Sequence, residues 1–199
     1  MEKILNDLTK FRDFAAYKNP SVTFFGSARF KQDNKYCKMA YELAYLLADR
    51  NFAVISGGGG GIMEAANKGA FDSGKSPSVG LNIILPFEQM TNPYATDKFI
   101  FESLNARKFA LIERSKAFLV FPGGFGTLDE LFEILVLSQI GNKKAKIYLV
   151  GSDFWSKLDE FIKTTLIEEK AIDNNDLSLY EIGDDVVKIA DEIVNLSRV

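Results

Sequence analysis

The stretch KAFLVFPGGFGTLDELFEILVLSQIG, Lys116 to Gly141, decides the architecture. It opens as a short apolar strand pattern, KAFLVF, passes a glycine-rich turn, and continues from Leu128 as a long helix pattern. The same alternation extends in both directions. Upstream, SVTFF, FAVIS, SVGLNIIL and KFIFE read as strands. Helix patterns in NKYCKMAYELAYLLADR, GIMEAANKGAFDSG and LNARKFALIERS separate them, together with a longer loop, PFEQMTNPYATD. Downstream, KIYLV reads as a strand, FWSKLDEFIKTTLIEEK as a helix, and DDVVKIADEIVNL as a closing helix. Short strands alternating with helices of 10–15 residues predict an α/β fold: a doubly wound, mainly parallel sheet with helices on both faces. It is expected to occupy residues 1–199 as one domain. Residues 1–20 add an N-terminal helix packed on it, because Ile4, Leu8, Phe11 and Ala15 share one helical face.

Composition narrows the chemistry. The 199 residues are 47% hydrophobic and carry a net charge of −3, so no general basic field draws in nucleic acid or a membrane surface. No apolar run reaches the ~18 residues of a membrane span, and the charged N-terminus does not resemble a signal peptide. A cytoplasmic protein is expected. The single cysteine, Cys37, cannot close an internal disulfide and reads as a buried helix residue. The chain has no histidine. Ser-His-Asp triads and histidine-dependent zinc sites are therefore excluded. No metal site is predicted, and catalysis falls to carboxylates, Lys, Arg, Ser, Thr or Tyr.

Three glycine-rich features compete for a ligand. GAFDSGKS, Gly69 to Ser76, matches the G-x-x-x-x-G-K-[ST] phosphate loop literally. A true phosphate loop follows a strand and opens a helix, whereas here Gly69 lies in a helix, Gly74 suits its C-cap and Pro77 blocks its continuation. SGGGGGIMEAANKGA, Ser56 to Ala70, does follow a strand. It misses G-x-G-x-x-G, since the last glycine would fall on Ile62, Met63 or Glu64. Five successive glycines exceed the need of a turn, which favours close approach of a ligand over a tight connection. The third feature is FPGGFGTLDE. Gly123, Gly124 and Gly126 can present backbone N–H groups to an anion at a helix start, and Thr127 adds a hydroxyl. Thr127 to Glu130 also reads as T-x-x-E, a capping box, which explains those two residues but not the glycines before them.

PGGFGTLDE resembles the P-G-G-x-G-T-x-x-E signature of the LOG proteins, the cytokinin riboside 5′-monophosphate phosphoribohydrolases, formerly labelled possible lysine decarboxylases. NARK, Asn105 to Lys108, is similar to the family's Arg-Lys pair. FGSAR, SGGGGGIMEAANKGA, GLNIILPFEQMTNPY and VGSDFW resemble its longer bacterial branch, so the likeness runs from Ser21 to about Asp185. Departures fall at Gly60, where the long branch commonly has Pro, and at Leu111, Asp129 and Val136; they bear on base preference.

The resemblance implies a Rossmann-like nucleotide-binding domain that cleaves the N-glycosidic bond of a purine nucleoside 5′-monophosphate. Its products are the free base and ribose 5-phosphate. No cofactor is implied, and the assembly would be a homo-oligomer, a dimer or a hexamer built from dimers. Carried onto this sequence, the catalytic residues are Glu130, as a carboxylate beside the ribose, and Arg107, as its cationic partner. A helix N-terminus is expected to favour ionised Glu130. Gly123, Gly124, Phe125, Gly126 and Thr127 would hold the phosphate, with Ser27 and Gly58 lining the same crevice. Lys108, beside Arg107, is a further candidate for substrate binding, although adjacent helical residues point in different directions. Glu88 is a ligand contact or a solvated loop acid, and Asp129 joins the substrate side or serves as a helix-dipole charge. The rival class is a carrier of nucleotides or molybdenum cofactor on the same fold, without turnover. Loss of Arg107 or Glu130 would have favoured it.

Overall fold

The structure, a computed structural model, describes residues 1–14, 18–84 and 91–196. Its centre is a sheet of seven strands: β1 (Ser21–Phe25), β2 (Ala53–Ser56), β3 (Ser78–Ile83), β4 (Asp97–Phe101), β5 (Ser115–Val120), β6 (Lys146–Val150) and β7 (Tyr180–Gly183). They lie in the order β4-β3-β2-β1-β5-β6-β7, and every pairing is parallel. Parallel strands need crossovers: α2 (Lys35–Asp49), α3 (Ile62–Ser73), α5 (Phe125–Gln139) and α6 (Ser152–Phe161) join neighbours, and α4 (Leu104–Glu113) carries the chain from edge strand β4 back to β5 beside β1. An N-terminal helix, α1 (Glu2–Phe14), and a closing helix, α7 (Val186–Leu196), complete the layers.

Helices cover both faces, so β1 is buried at all five positions instead of alternating. On one face α2, α3 and α7 pack against Val22, Phe24, Val54, Leu119 and Tyr148. On the other, α4, α5 and α6 meet Phe25, Ile55, Leu81, Phe118 and Leu149, and α1 adds Phe11, with Ile4 and Leu8 half-buried beside it. Ala15, the fourth residue of that stripe, lies outside the described residues. Cys37 is buried on α2, and desolvation pushes its thiol up to about 11, which makes it unreactive.

The sequence reading needs three amendments. α5 starts at Phe125, three residues ahead of the expected Leu128, with Gly124 as its extended N-cap. YEIG, Tyr180 to Gly183, is an edge strand too short to show a period. The helix expected over 154–170 changes to a π-helical turn at Ile162–Leu166. Gly74, by contrast, takes the left-handed conformation at the C-cap of α3, as its place in the literal phosphate-loop match suggested. No helix among the described residues is long and apolar enough to cross a membrane.

Candidate functional site

The strand order reverses its direction of growth between β1 and β5. Their crossovers run to opposite sides, so the loops at their carboxyl ends part and leave a crevice. The two loops are stitched together at its base, where Phe121 N donates to Phe25 O (2.8 Å) and Ser27 N donates to Pro122 O (3.0 Å). A cleft of about 710 Å³ opens above them. One wall is Gly26 to Arg29 after β1, with Gly57 and Met63; the other is Gly124 to Leu128 at the start of α5. Arg107 of α4 and Glu130 of α5 lie between the two.

Arg107 and Glu130 come from elements 23 positions apart and meet because α4 and α5 lie on the same face of the sheet. Arg107 Nε donates to the Leu81 carbonyl (2.7 Å), which orients the guanidinium, and Nη1 stands 3.6 Å from Glu130 Oε1. Both side chains are nearly buried, 11% and 14% exposed, so water screens the pair weakly. Burial pushes the Glu130 carboxyl up to about 7; Arg107 and Lys108 oppose that rise, and Asp129 and Glu133 add to it. The expectation that a helix start would keep Glu130 ionised is thereby corrected. Glu130 is the sixth residue of α5, beyond the first turn where the dipole acts, and desolvation outweighs it. A carboxyl that titrates near neutrality in a cleft can both hold and release a proton.

The phosphate-binding reading of the turn and the capping-box reading differ in what they require of Thr127. The N-cap of α5 is Gly124, with no side-chain cap, so the T-x-x-E pair does not cap the helix. Thr127 is instead the third helical residue, 5% exposed, with its hydroxyl packed under Gly123. The early N–H groups of α5, at Phe125, Gly126 and Thr127, have no partner within the helix and sit at the cleft wall. Phe125 itself projects outward, 92% exposed.

Ser27, Gly124, Phe125, Gly126, Thr127, Arg107 and Glu130 line the cleft together. Gly123, Gly58, Lys108 and Asp129 do not. Gly123 sits beneath the wall, against Thr127 and Ser27. Gly58, at φ +72°, is turned onto Asn82, and its neighbour Gly57 borders the cleft in its place. Lys108 points away from Arg107, as adjacent helical residues do, and pairs with Asp129 (3.1 Å) and Glu133 (3.0 Å). That pairing occupies Asp129 as well. Glu88 lies outside the described residues. The five-glycine run serves mainly close packing of the protein on itself: Asn92 donates to the carbonyls of Gly58 and Gly59, and Gly61, at φ +61°, abuts the Ser27 carbonyl.

Arg29 is a cleft residue that no motif singles out. It lines the cleft beside the α5 start, and its backbone N–H donates to Ser27 Oγ (3.1 Å). Among the described residues it forms no ion pair, while Arg107 and Lys108 are both engaged. The FGSAR stretch holds the signal; the β1–β5 pairing brings the loop that carries it beside the glycine turn, where Ser27 N donates to Pro122 O. No group of His, Cys, Asp and Glu among the described residues could hold a metal ion.

Comparison with known proteins bears on this geometry. The chain is 28% identical over 148 residues to the probable cytokinin riboside 5′-monophosphate phosphoribohydrolase LOGL6 of Oryza sativa subsp. japonica, covering 73% of this chain and 59% of that one. It is likewise 28% identical over 145 residues to the cytokinin riboside 5′-monophosphate phosphoribohydrolase LOG2 of Arabidopsis thaliana, covering 72% and 65%. The molybdenum cofactor carrier protein of Chlamydomonas reinhardtii shares the fold, with a TM-score of 0.65 and 20% identity over 92% of this chain and 100% of that one. The family model described as "Possible lysine decarboxylase" matches residues 63–193, which include Arg107, the glycine turn and Glu130, and the chain belongs to that family, the LOG family.

Proposed function

We propose that this chain hydrolyses the N-glycosidic bond of purine nucleoside 5′-monophosphates. The buried Arg107–Glu130 pair, facing a cleft walled by an open helix start, carries the reading. Substrate phosphate binds the free N–H groups of Phe125, Gly126 and Thr127, where the helix partial charge favours an anion, and Arg29 supplies the counter-charge. Thr127 and Glu130 are three residues apart and share a helix face, so a nucleotide anchored at Thr127 brings its ribose to Glu130. As the C1′–N9 bond breaks, its electron pair leaves with the purine and positive charge grows on the ribose. The Glu130 carboxylate stabilises that charge and takes a proton from the water whose oxygen bonds to C1′. The proton then passes to the departing purine, whose negative charge Arg107 steadies. Named activities of the relatives support this reading.

An apolar strip extends from the cleft along α5 through Phe125, Phe132 and Val136 to the C-cap Ile140, each at least 41% exposed. In this reading a second copy of the chain covers the strip and completes the base end of the cleft.

The test is adenine release from AMP by the purified protein, followed by chromatography. Glu130→Gln and Arg107→Ala are each expected to lower turnover about a hundredfold or more while remaining folded. AMP binding without release, for AMP and for isopentenyladenosine monophosphate alike, would instead favour the carrier class.

A further inference from the structure

α1 lies outside the residues matched by the family model, yet one of its side chains is built into the support of the site. Asp7 is 2% exposed. Its Oδ2 accepts the backbone N–H groups of Glu102 (3.0 Å) and Ser103 (2.8 Å), at the entry to α4. Ser103 is the N-cap of α4. Its carbonyl accepts the N–H of Arg107 (3.0 Å), and its hydroxyl accepts that of Ala106. A chain of hydrogen bonds thus runs from the Asp7 carboxylate through one turn of helix to the backbone of Arg107. Packing accompanies it: Phe11, one turn beyond Asp7, meets Phe99 and Phe101 of β4 at ring-centroid distances of 5.9 and 5.7 Å. The exposed Lys3–Glu102 pair (3.2 Å) adds little.

Burying an aspartate side chain is costly unless its oxygens are hydrogen-bonded, and Asp7 accepts here from two backbone N–H groups at the entry to a helix, where such groups lack helical partners. We propose that Asp7 is a positioning residue of the site: it anchors the first turn of α4 and thereby holds Arg107 within ion-pair distance of Glu130. The inference rests on the functional reading above for its consequence in catalysis, but not for its geometry.

The test reads Glu130 itself. In protein labelled with ¹³C at glutamate carboxyls, Glu130 is identified by its loss in Glu130→Gln and titrated without substrate. The charged groups facing it are Arg107 and Lys108 from α4 and Asp129 and Glu133 from α5. Both cations stand on the helix that Asp7 anchors, and Arg107, the one paired with Glu130, is the stronger of the two. Releasing α4 in Asp7→Ala is expected to raise the Glu130 midpoint by about half a pH unit or more, as the favourable cation recedes. Turnover at neutral pH is expected to fall about tenfold with a smaller change in KM. The sign is diagnostic, because simple removal of a negative charge would lower the midpoint. Asp7→Asn, which keeps an acceptor for both N–H groups, is expected to restore native behaviour. Ile193→Ala, in the opposite core layer, serves as a variant destabilised without touching α4.

An unchanged or lowered midpoint in Asp7→Ala overturns the proposal, and so does an equal rise in Ile193→Ala. Should Asp7→Ala not fold, Asp7→Ser is read in the same way. If the native protein releases no base, the hydrolase reading fails, and the carboxyl titration still decides the role of Asp7.

Discussion

A methyl group added at Gly57 would overlap Arg107 and Met63, and one added at Gly61 would overlap the Ser27 carbonyl, whereas one at Gly124 or Gly126 would meet nothing within 4 Å. The two glycine turns stand at the carboxyl ends of β2 and β5, and both open a helix. In the turn after β2, glycine lets protein approach protein: Gly57 admits the guanidinium that faces Glu130, and Gly61 admits the neighbouring loop in a left-handed conformation. In the turn after β5, the space is vacant on the protein side and bounded by unpartnered N–H groups. Small residues around a filled space answer to packing, and small residues beside open space answer to access.

The comparison breaks most sharply at Gly61. Gly61→Ala combines a positive φ with a clash against backbone, so a loss of about 2–4 kcal/mol is expected. In a thermal melt that is a fall of roughly 5–15 °C. An unchanged melting temperature would show that the first turn is not packing-limited.

Gly57→Ala separates fold from site. The atoms in its way end flexible side chains, so stability is expected to change little while Arg107 is displaced. A 1 Å misplacement can cost about a hundredfold in rate, and a loss of that order in kcat/KM with a near-native melt is expected.

The pH dependence sharpens the link between Arg107 and Glu130. With the Glu130 carboxyl pushed up to about 7 and the carboxylate as the active form, kcat/KM is expected to rise about tenfold between pH 6 and 8. Arg107→Ala should move what activity remains to higher pH. The stability sign runs the other way. The folded value lies above the ordinary 4.5, so this group's contribution is complete below 4.5 and is lost as pH rises through 7. In denaturant titrations, Glu130→Gln should remove that slope.

The smallest effect is expected at the open turn. Gly124→Ala and Gly126→Ala should fold normally and raise KM for the nucleotide a few-fold by crowding the phosphate. Equal losses for adenosine and AMP would place the phosphate elsewhere.

How much of this was legible beforehand follows the same physical division. Strands such as SVTFF and helices such as KYCKMAYELAYLLAD announce themselves, because their periods and residue types are local. The PGGFGTLDE and NARK motifs pointed to residues that do line the cleft. Gly58 and Lys108 stand outside the cleft lining, because which of two adjacent residues faces a cleft depends on helix and turn rotation. Nothing local to FGSAR marks Arg29, because what borders the same cleft comes from elements distant in the chain.

The parallel α/β architecture, the exclusion of histidine chemistry and the two motifs that border the cleft are already present in the sequence. Those are matters of composition and of patterns a few residues long. The folded arrangement adds that the Glu130 carboxyl is pushed up to about 7, that Arg29 lines the same cleft as the open helix start, and that Asp7 meets the entry to the helix of Arg107 from 100 positions away. Burial, ion-pair geometry and backbone anchoring arise between elements distant in the chain, and they exist only once the sheet has set the distance between its loops.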